Sequence, residues 1–83
     1  TIRMHQEREY PTRISATDLV NPDFAAYARS FGAWAETVEA TEAFAPALAR
    51  ALTEPGVKLL HLKTDVEIIS AGTTISRLRA AKA

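Results

Sequence analysis

Four side chains in this sequence have types and positions that could do chemistry. His5 and Glu9 are four residues apart, a spacing that brings two side chains together on one helix face. Such a pair could hold a metal ion or share a proton, but two ligands without a third are more typical of a solvated helix pair. His61 falls inside an apolar run, where a histidine with its hydrogen bonds satisfied, or one at a sheet edge, is the alternative to a catalytic histidine. Asp65 follows that run, at a position where α/β folds often place residues that bind ligands. The alternative is that Asp65 only forms part of a loop.

Other motifs that carry chemistry do not occur in the sequence. It contains no Gly-rich phosphate loop, no Walker-type run and no recognisable Ser/His/Asp set. The residue types alone therefore indicate an α/β chain without an assigned reaction.

Composition narrows the class of protein. The chain has 83 residues, enough for one small domain, and no cysteine for a disulfide or a cysteine-ligated metal. Ten basic and ten acidic side chains cancel, so the charge indicates no nucleic-acid partner. No apolar run approaches the roughly 20 residues of a membrane span, and the N-terminus has no signal-peptide pattern. We expect a soluble, cytoplasmic segment of a longer protein.

The clearest element in the sequence is a helix between Asn21 and Gly32. Asn21 is suited to cap it, Pro22 suits its first position, and Gly32 can take the left-handed conformation that ends a helix. Phe24, Ala28 and Phe31 share one apolar face. We expect Trp34 and the phenylalanines to form the core.

The remaining sequence predicts helices around two strands. A first helix spans Thr1 to Glu9 and ends before Tyr10-Pro11, and it is too short to persist without a partner. The segment from Pro11 to Val20 is irregular. Strands 33–39 and 57–64 flank a helix over 41–54, whose regular part begins after Thr41 because Pro46 must lie near its first turn.

This order of elements predicts an α/β fold in which two parallel strands are joined by a crossover helix. The second strand is nearly continuously apolar, which is typical of a strand covered on both faces. Residues 65–72 are expected to be a loop, and Thr73 or Thr74 to cap a last helix through Ile75 and Leu78. Two strands leave both sheet edges unpaired, so the chain either self-associates or completes a larger sheet.

Three stretches together resemble a known family, the thiamine-diphosphate-dependent enzymes, close to acetolactate synthases and benzoylformate decarboxylases. Thr1 to Gln6 resembles the helix after the Asn-Asn and Tyr-Gly end of the family's cofactor motif. Asn21 to Gly32 resembles its Pro-Asp-Phe and Ala-Phe-Gly run. Phe44 to Leu52 with Leu59 to Asp65 resembles its last helix and last strand. By this resemblance, residues 1–83 are the C-terminal part of the pyrophosphate-binding domain.

The resemblance implies a parent enzyme that binds thiamine diphosphate and Mg²⁺, forms a thiazolium ylid and adds it to a 2-oxo acid with loss of CO₂. It implies that the first turn of the helix, at Thr1 and Ile2, lies beside the diphosphate. By the resemblance, Ile2 and His5 match positions that face the substrate. Residues at these positions are mostly apolar in the family, so His5 departs from the family pattern. The family's Gly-Asp-Gly segment and Asn, which hold the metal, are not among the 83 residues.

Two hypotheses follow from the sequence. In the first, the chain is part of a homo-oligomeric lyase or transferase, contains no catalytic residue or metal ligand itself, and is inactive alone. Its partners are then the rest of the parent enzyme and other copies of it. In the second, the chain is a free-standing dimerisation module with the same topology.

Overall fold

The computed structural model describes residues 1–82, in four helices, four strands and one 3₁₀ turn. In chain order they are α1 (Ile2–Glu9), α2 (Phe24–Ser30), β1 (Trp34–Val38), the 3₁₀ turn (Thr41–Ala43), α3 (Phe44–Thr53), β2 (Lys58–Leu62), β3 (Ile68–Ser70), β4 (Thr73–Thr74) and α4 (Ile75–Lys82). They group into a sheet unit, Asn21–Thr64, and a terminal unit, which contains Thr1–Val20 and residues 65–82.

The sheet unit is built on a strand–helix–strand motif. β1 and β2 pair in parallel, with Trp34 opposite Lys58 and Val38 opposite Leu62. α3 makes the connection that parallel neighbours require. The α/β class and the two parallel strands predicted from sequence are confirmed.

The two helices of this unit cover opposite faces of the strand pair. Ala25 and Ala28 of α2 pack with Ala35 of β1 in one buried cluster. The next β1 residue, Glu36, forms a salt bridge with Arg50 of α3. Because successive strand side chains point to opposite faces, α2 and α3 lie on either side of the sheet.

The core of the sheet unit is made of small side chains, which corrects the sequence prediction. Val38 and alanines are buried, whereas Trp34 is half-buried, Phe31 is 76% exposed and Leu52 is 73% exposed. Alanines let the helices approach the sheet closely, and two strands offer too little area to cover the larger side chains. For the same reason no residue of β2 is fully buried. The prediction that both faces of this strand are covered is therefore wrong, because they are covered only in part.

The start of α2 also differs from the prediction. Asp23, not Asn21, is the N-cap, and its carboxylate accepts the N–H of Ala26 at 3.1 Å. An aspartate suits this role as well as an asparagine does, and its negative charge is favoured at the positive end of the helix dipole. Pro22 therefore precedes the helix. The predicted end is confirmed, since Gly32 has a φ of +82°.

The entry into α3 agrees with the constraint set by proline. A 3₁₀ turn occupies Thr41–Ala43, and the regular helix begins at Phe44. Pro46 then lies in the first turn, where its missing N–H has no helical acceptor to satisfy.

The terminal unit pairs α1 with α4, the partner that such a short helix needs. Residues 65–72 are not wholly a loop as expected: β3 pairs antiparallel with β4, with Ile68 opposite Thr74. Strands of three and two residues are too short to leave a periodic pattern in sequence. Thr74 caps α4 as predicted, since its Oγ1 accepts the N–H of Arg77 at 3.2 Å.

A search for transmembrane helices among the described residues found none with the length and hydropathy that a bilayer crossing requires.

Candidate cofactor-facing helix

The first turn of α1 is the best candidate for binding an anion. Thr1 is the N-cap, and its side chain makes no capping hydrogen bond. The first N–H groups of a helix have no partner within it, and they carry the positive end of its dipole. No acidic residue lies in this turn to repel an anion. The N–H groups of Thr1 and Ile2 are therefore not used by hydrogen bonds within α1.

Ile2 and His5 occupy one exposed face of α1, named here the front face. Ile2 is 70% exposed, and His5 is exposed as well. Residues three apart are neighbours on a helix surface, so the two side chains can act on the same ligand. His5 makes no hydrogen bond with Glu9; the Glu9 carboxylate lies 4.0 Å from Lys82 of α4 instead. The alternative of a His5–Glu9 metal pair gains no support from these contacts.

The opposite face of α1 is centred on Glu7, the one charged residue that is fully buried among those described. Arg79 of α4 donates to both carboxylate oxygens, from Nε at 2.7 Å and from a terminal nitrogen at 2.5 Å. The N–H of Thr12 donates to Glu7 Oε2 at 2.9 Å. Three donors thus compensate a carboxylate that has lost its water.

These donors determine the ionisation of Glu7. The hydrogen bonds from Arg79 and then from the Thr12 N–H lower the pKa of Glu7 from 4.5 to about 2, against the opposing effect of burial. The same ion pair raises the pKa of Arg79. Glu7 is therefore a carboxylate at neutral pH and has no proton to give, so its contacts define a structural role.

The neighbouring residue, Gln6, attaches the irregular segment to α1. Its side-chain nitrogen donates to the carbonyl of Ser15, and its oxygen accepts the hydroxyl of Thr17, both at 2.9 Å. Thr12, which donates to Glu7, has a φ of +65°, a conformation that few non-glycine residues adopt. Gln6 and Glu7 together therefore fix residues 12–17 against the helix.

In the sheet unit, His61 lies at the position that its apolar surroundings predicted. It is half-buried on β2, with its ring edge-on to Phe24 at a centroid distance of 5.2 Å. Its Nδ1 has no hydrogen-bond partner among the described residues. An Nδ1 without a partner is not part of an acid–base pair, which favours the structural alternative.

A groove opens where β1 and β2 end, the edge at which parallel sheets commonly bind ligands. It has a volume of about 280 Å³ and an apolar floor that includes Val38, Phe44 and Leu62. Glu39 and Lys63 form a salt bridge of 3.3 Å on its rim, with both side chains more than half exposed. The pair neutralises itself, so the groove presents no net charge to a ligand.

Asp65 shapes its loop. Its carboxylate accepts the N–H of Glu67 at 2.9 Å, and its carbonyl accepts the N–H of Ile68. This is the turn-forming alternative for Asp65. Across residues 1–82, no three His, Cys, Asp or Glu side chains gather in a way that could hold a metal ion.

The strand–helix–strand motif with helices on both faces belongs to the class of parallel α/β domains. Comparison with protein families identifies which one: residues 1–62 match the family described as thiamine pyrophosphate enzyme, C-terminal TPP binding domain. The match covers most of the chain, so the chain belongs to this family of thiamine-diphosphate-dependent enzymes. Comparisons with curated proteins and with solved structures returned no significant match.

The described residues fit one part of the family's cofactor. Free N–H groups at Thr1 and Ile2, without a nearby carboxylate, suit a diphosphate. The fit concerns the anionic end of thiamine diphosphate.

The sequence prediction missed the two residues that hold this helix, Glu7 and Arg79. They are 72 positions apart, and each is one of many charged residues in a helix. No periodicity links them, so only the folded chain reveals the pair.

Proposed function

We propose that this chain is the C-terminal part of an acetolactate synthase-like enzyme, which decarboxylates a 2-oxo acid and joins the product to a second 2-oxo acid. The observation that carries the proposal is the family match beginning at residue 1, which includes all of α1. The exposed first turn and front face of that helix have the chemistry the proposal needs: free donors for a diphosphate and an uncovered surface for a substrate.

In this proposal, the backbone of Thr1 and Ile2 donates hydrogen bonds to the diphosphate, and the dipole of α1 favours its negative charge. Thiamine diphosphate, when bound, supplies the carbanion chemistry. The Ile2 side chain excludes water from the substrate side, and the imidazole of His5 offers an N–H donor toward a polar group of the substrate.

We propose that Mg²⁺ is held by other segments of the parent, that the parent is a cytoplasmic homo-oligomer, and that these 83 residues alone are inactive. Exposed apolar side chains on α2 and α3, such as Phe31 and Leu52, support association with further protein surface.

The same exposed surface favours the second candidate, a free-standing dimerisation module without catalysis. The two candidates differ in what thiamine diphosphate does. An enzyme part loses its function without the cofactor, whereas a dimerisation module associates equally well with or without it.

The test is turnover by the full-length protein that carries this sequence. With thiamine diphosphate, Mg²⁺ and pyruvate, we expect CO₂ release and formation of acetolactate; benzoylformate, run in parallel, tests simple decarboxylation. Omitting the cofactor should abolish both signals. Cofactor-dependent CO₂ release without a joined product would reject the synthase assignment, and no release from either acid would reject the proposed reaction.

The front face can be tested in the same assay. Ile2→Ala and His5→Ala should raise the KM for the 2-oxo acid, since they alter the substrate side. Arg77→Ala, an exposed change on α4 and so outside the front face, is the control and should leave KM unchanged. Equal KM values in all four proteins would remove Ile2 and His5 from the substrate site.

A further inference from the structure

The feature that the proposed function does not use is the buried ion pair between α1 and α4. Glu7 is fully buried, and Arg79 binds both of its oxygens. Arg79 lies beyond residue 62, where the family match ends. The most completely paired charge in the terminal unit thus depends on a residue that the family match does not include.

The position of Glu7 around α1 gives this pair a consequence for the front face. At 100° per residue, Glu7 lies roughly 140° from Ile2 and roughly 160° from His5 around the helix axis. Arg79 therefore binds α1 on the side opposite the front face and leaves the front face uncovered. A bidentate arginine–carboxylate pair fixes orientation as well as distance, because two parallel hydrogen bonds prevent rotation about either one.

The surrounding contacts make the attachment more rigid. Glu7 also accepts the N–H of Thr12, and Gln6 fixes Ser15 and Thr17. On the α4 side, Glu67 accepts both the N–H and the hydroxyl of Ser76, at 3.0 and 2.8 Å, which fixes the first turn of α4. Both ends of the ion pair are thus anchored within the terminal unit.

We infer that Arg79 is a positioning residue for the cofactor: by gripping Glu7, it sets the place and direction of the first turn of α1. This inference rests on the proposed function, because it assigns α1 to the diphosphate. It adds that residues after the family match are needed for cofactor affinity. The physical reason is that free helix N–H groups bind an anion well only if they are held in place before it arrives.

The experiment uses the full-length protein and measures the Kd for thiamine diphosphate in saturating Mg²⁺ by calorimetry. We expect Arg79→Ala to raise Kd about tenfold, since binding groups that are no longer held in place must be ordered when the ligand binds. Arg79→Lys keeps the charge with one point of contact and should give an intermediate Kd. Arg77→Ala is the matched control: Arg77 is an exposed arginine on the same helix whose side chain donates to the Gly72 carbonyl, and the loss of that side chain should leave Kd unchanged.

Two further measurements separate positioning from general loss of stability. Hydrogen exchange of the α1 amides should speed up in Arg79→Ala and not in Arg77→Ala. Val38→Ala, which removes buried methyl groups from the sheet unit, supplies a destabilised protein with α1 unaltered; its Kd should match the unsubstituted protein at a temperature where all variants are folded.

The outcomes are distinguishable. If the unsubstituted protein binds no thiamine diphosphate, the proposed function fails and this inference fails with it. If it binds, but Arg79→Ala binds equally well or Val38→Ala loses as much affinity, the inference alone is overturned and Arg79 is a structural residue only.

Discussion

Glu7 shows how one buried charge can connect two distant parts of a chain. Burying a carboxylate is unfavourable unless donors replace its water, and here a guanidinium and a backbone N–H do so. The same carboxylate thereby joins α1, the segment after it and α4. The residue has no role in proton transfer, yet the geometry of the candidate site depends on it.

The lowered pKa of Glu7 predicts how stability depends on pH. Because that pKa falls from 4.5 to about 2 on folding, Glu7 stabilises the fold fully above pH 4.5, and this contribution is lost as the pH falls from 4.5 toward 2. Glu7→Gln should lower Tm at pH 7 and flatten the acid limb of a plot of Tm against pH. Glu9→Gln, on the same helix but exposed and 4.0 Å from Lys82, should change little. Identical acid limbs for the Glu7 and Glu9 variants would contradict the buried pair.

The N-cap of α2 allows a second test with single substitutions. Asp23→Ala removes the acceptor for the Ala26 N–H and should cost about 1 kcal/mol of unfolding free energy. Asn21→Ala, two residues earlier, should stay within a few tenths of a kcal/mol because Asn21 lies outside the helix. Urea denaturation measures both, and a larger loss for the Asn21 variant would restore the cap position that the sequence pattern suggested.

At the scale of elements, the sheet unit is held by contacts between small side chains. Val38 is 5% exposed, whereas Val57, directly before β2, is 74% exposed. Val38→Ala should therefore cost about 2 kcal/mol of unfolding free energy, from lost burial and the cavity left behind. Val57→Ala is the same chemical change at the surface and should cost almost nothing. Similar losses for both would mean that β1 is not packed as described.

The elements that sequence predicts well are those whose signals are local. Proline placed the start of α3, and glycine placed the end of α2. The parallel pairing of β1 and β2 followed from the order strand, helix, strand. The identity of the core residues has no local signal. Alanines rather than Phe31 or Leu52 form the core, because burial depends on how much neighbouring surface exists to cover each side chain.

The features of the candidate site likewise divide into those that sequence predicts and those that it does not. Helix periodicity predicts that Ile2 and His5 share one face of α1, whereas their contact with substrate and that of the first turn with the diphosphate stay predictions. The short β3–β4 pair and the Glu7–Arg79 contact could not be predicted. The two strands are too short to leave a periodic pattern, and the ion pair joins residues from opposite ends of the chain.

At the scale of the whole molecule, the chain presents more apolar surface than it covers. Large exposed side chains include Tyr27 of α2 and Phe31, directly after it, whose rings stack edge-to-face at 5.2 Å. A family domain of a larger enzyme would cover such surface with other segments or another subunit. The sheet is equally open, with β1 and β2 its two paired strands in the described residues. Both features agree with a chain that contributes one part of a cofactor site.

The most direct test of this account removes a single N–H from the first turn of α1. Ile2→Pro is suitable because proline is tolerated at the first helical position and lacks only the donor, while Ile2→Ala keeps the N–H and loses the side chain. Both variants are made in the full-length protein, and thiamine diphosphate is titrated in saturating Mg²⁺. The account predicts that Ile2→Pro raises Kd about tenfold, the loss of one hydrogen bond to a charged group, and that Ile2→Ala leaves Kd near the unsubstituted value. Equal affinity in Ile2→Pro and the unsubstituted protein, or no saturable binding by the unsubstituted protein, would contradict it.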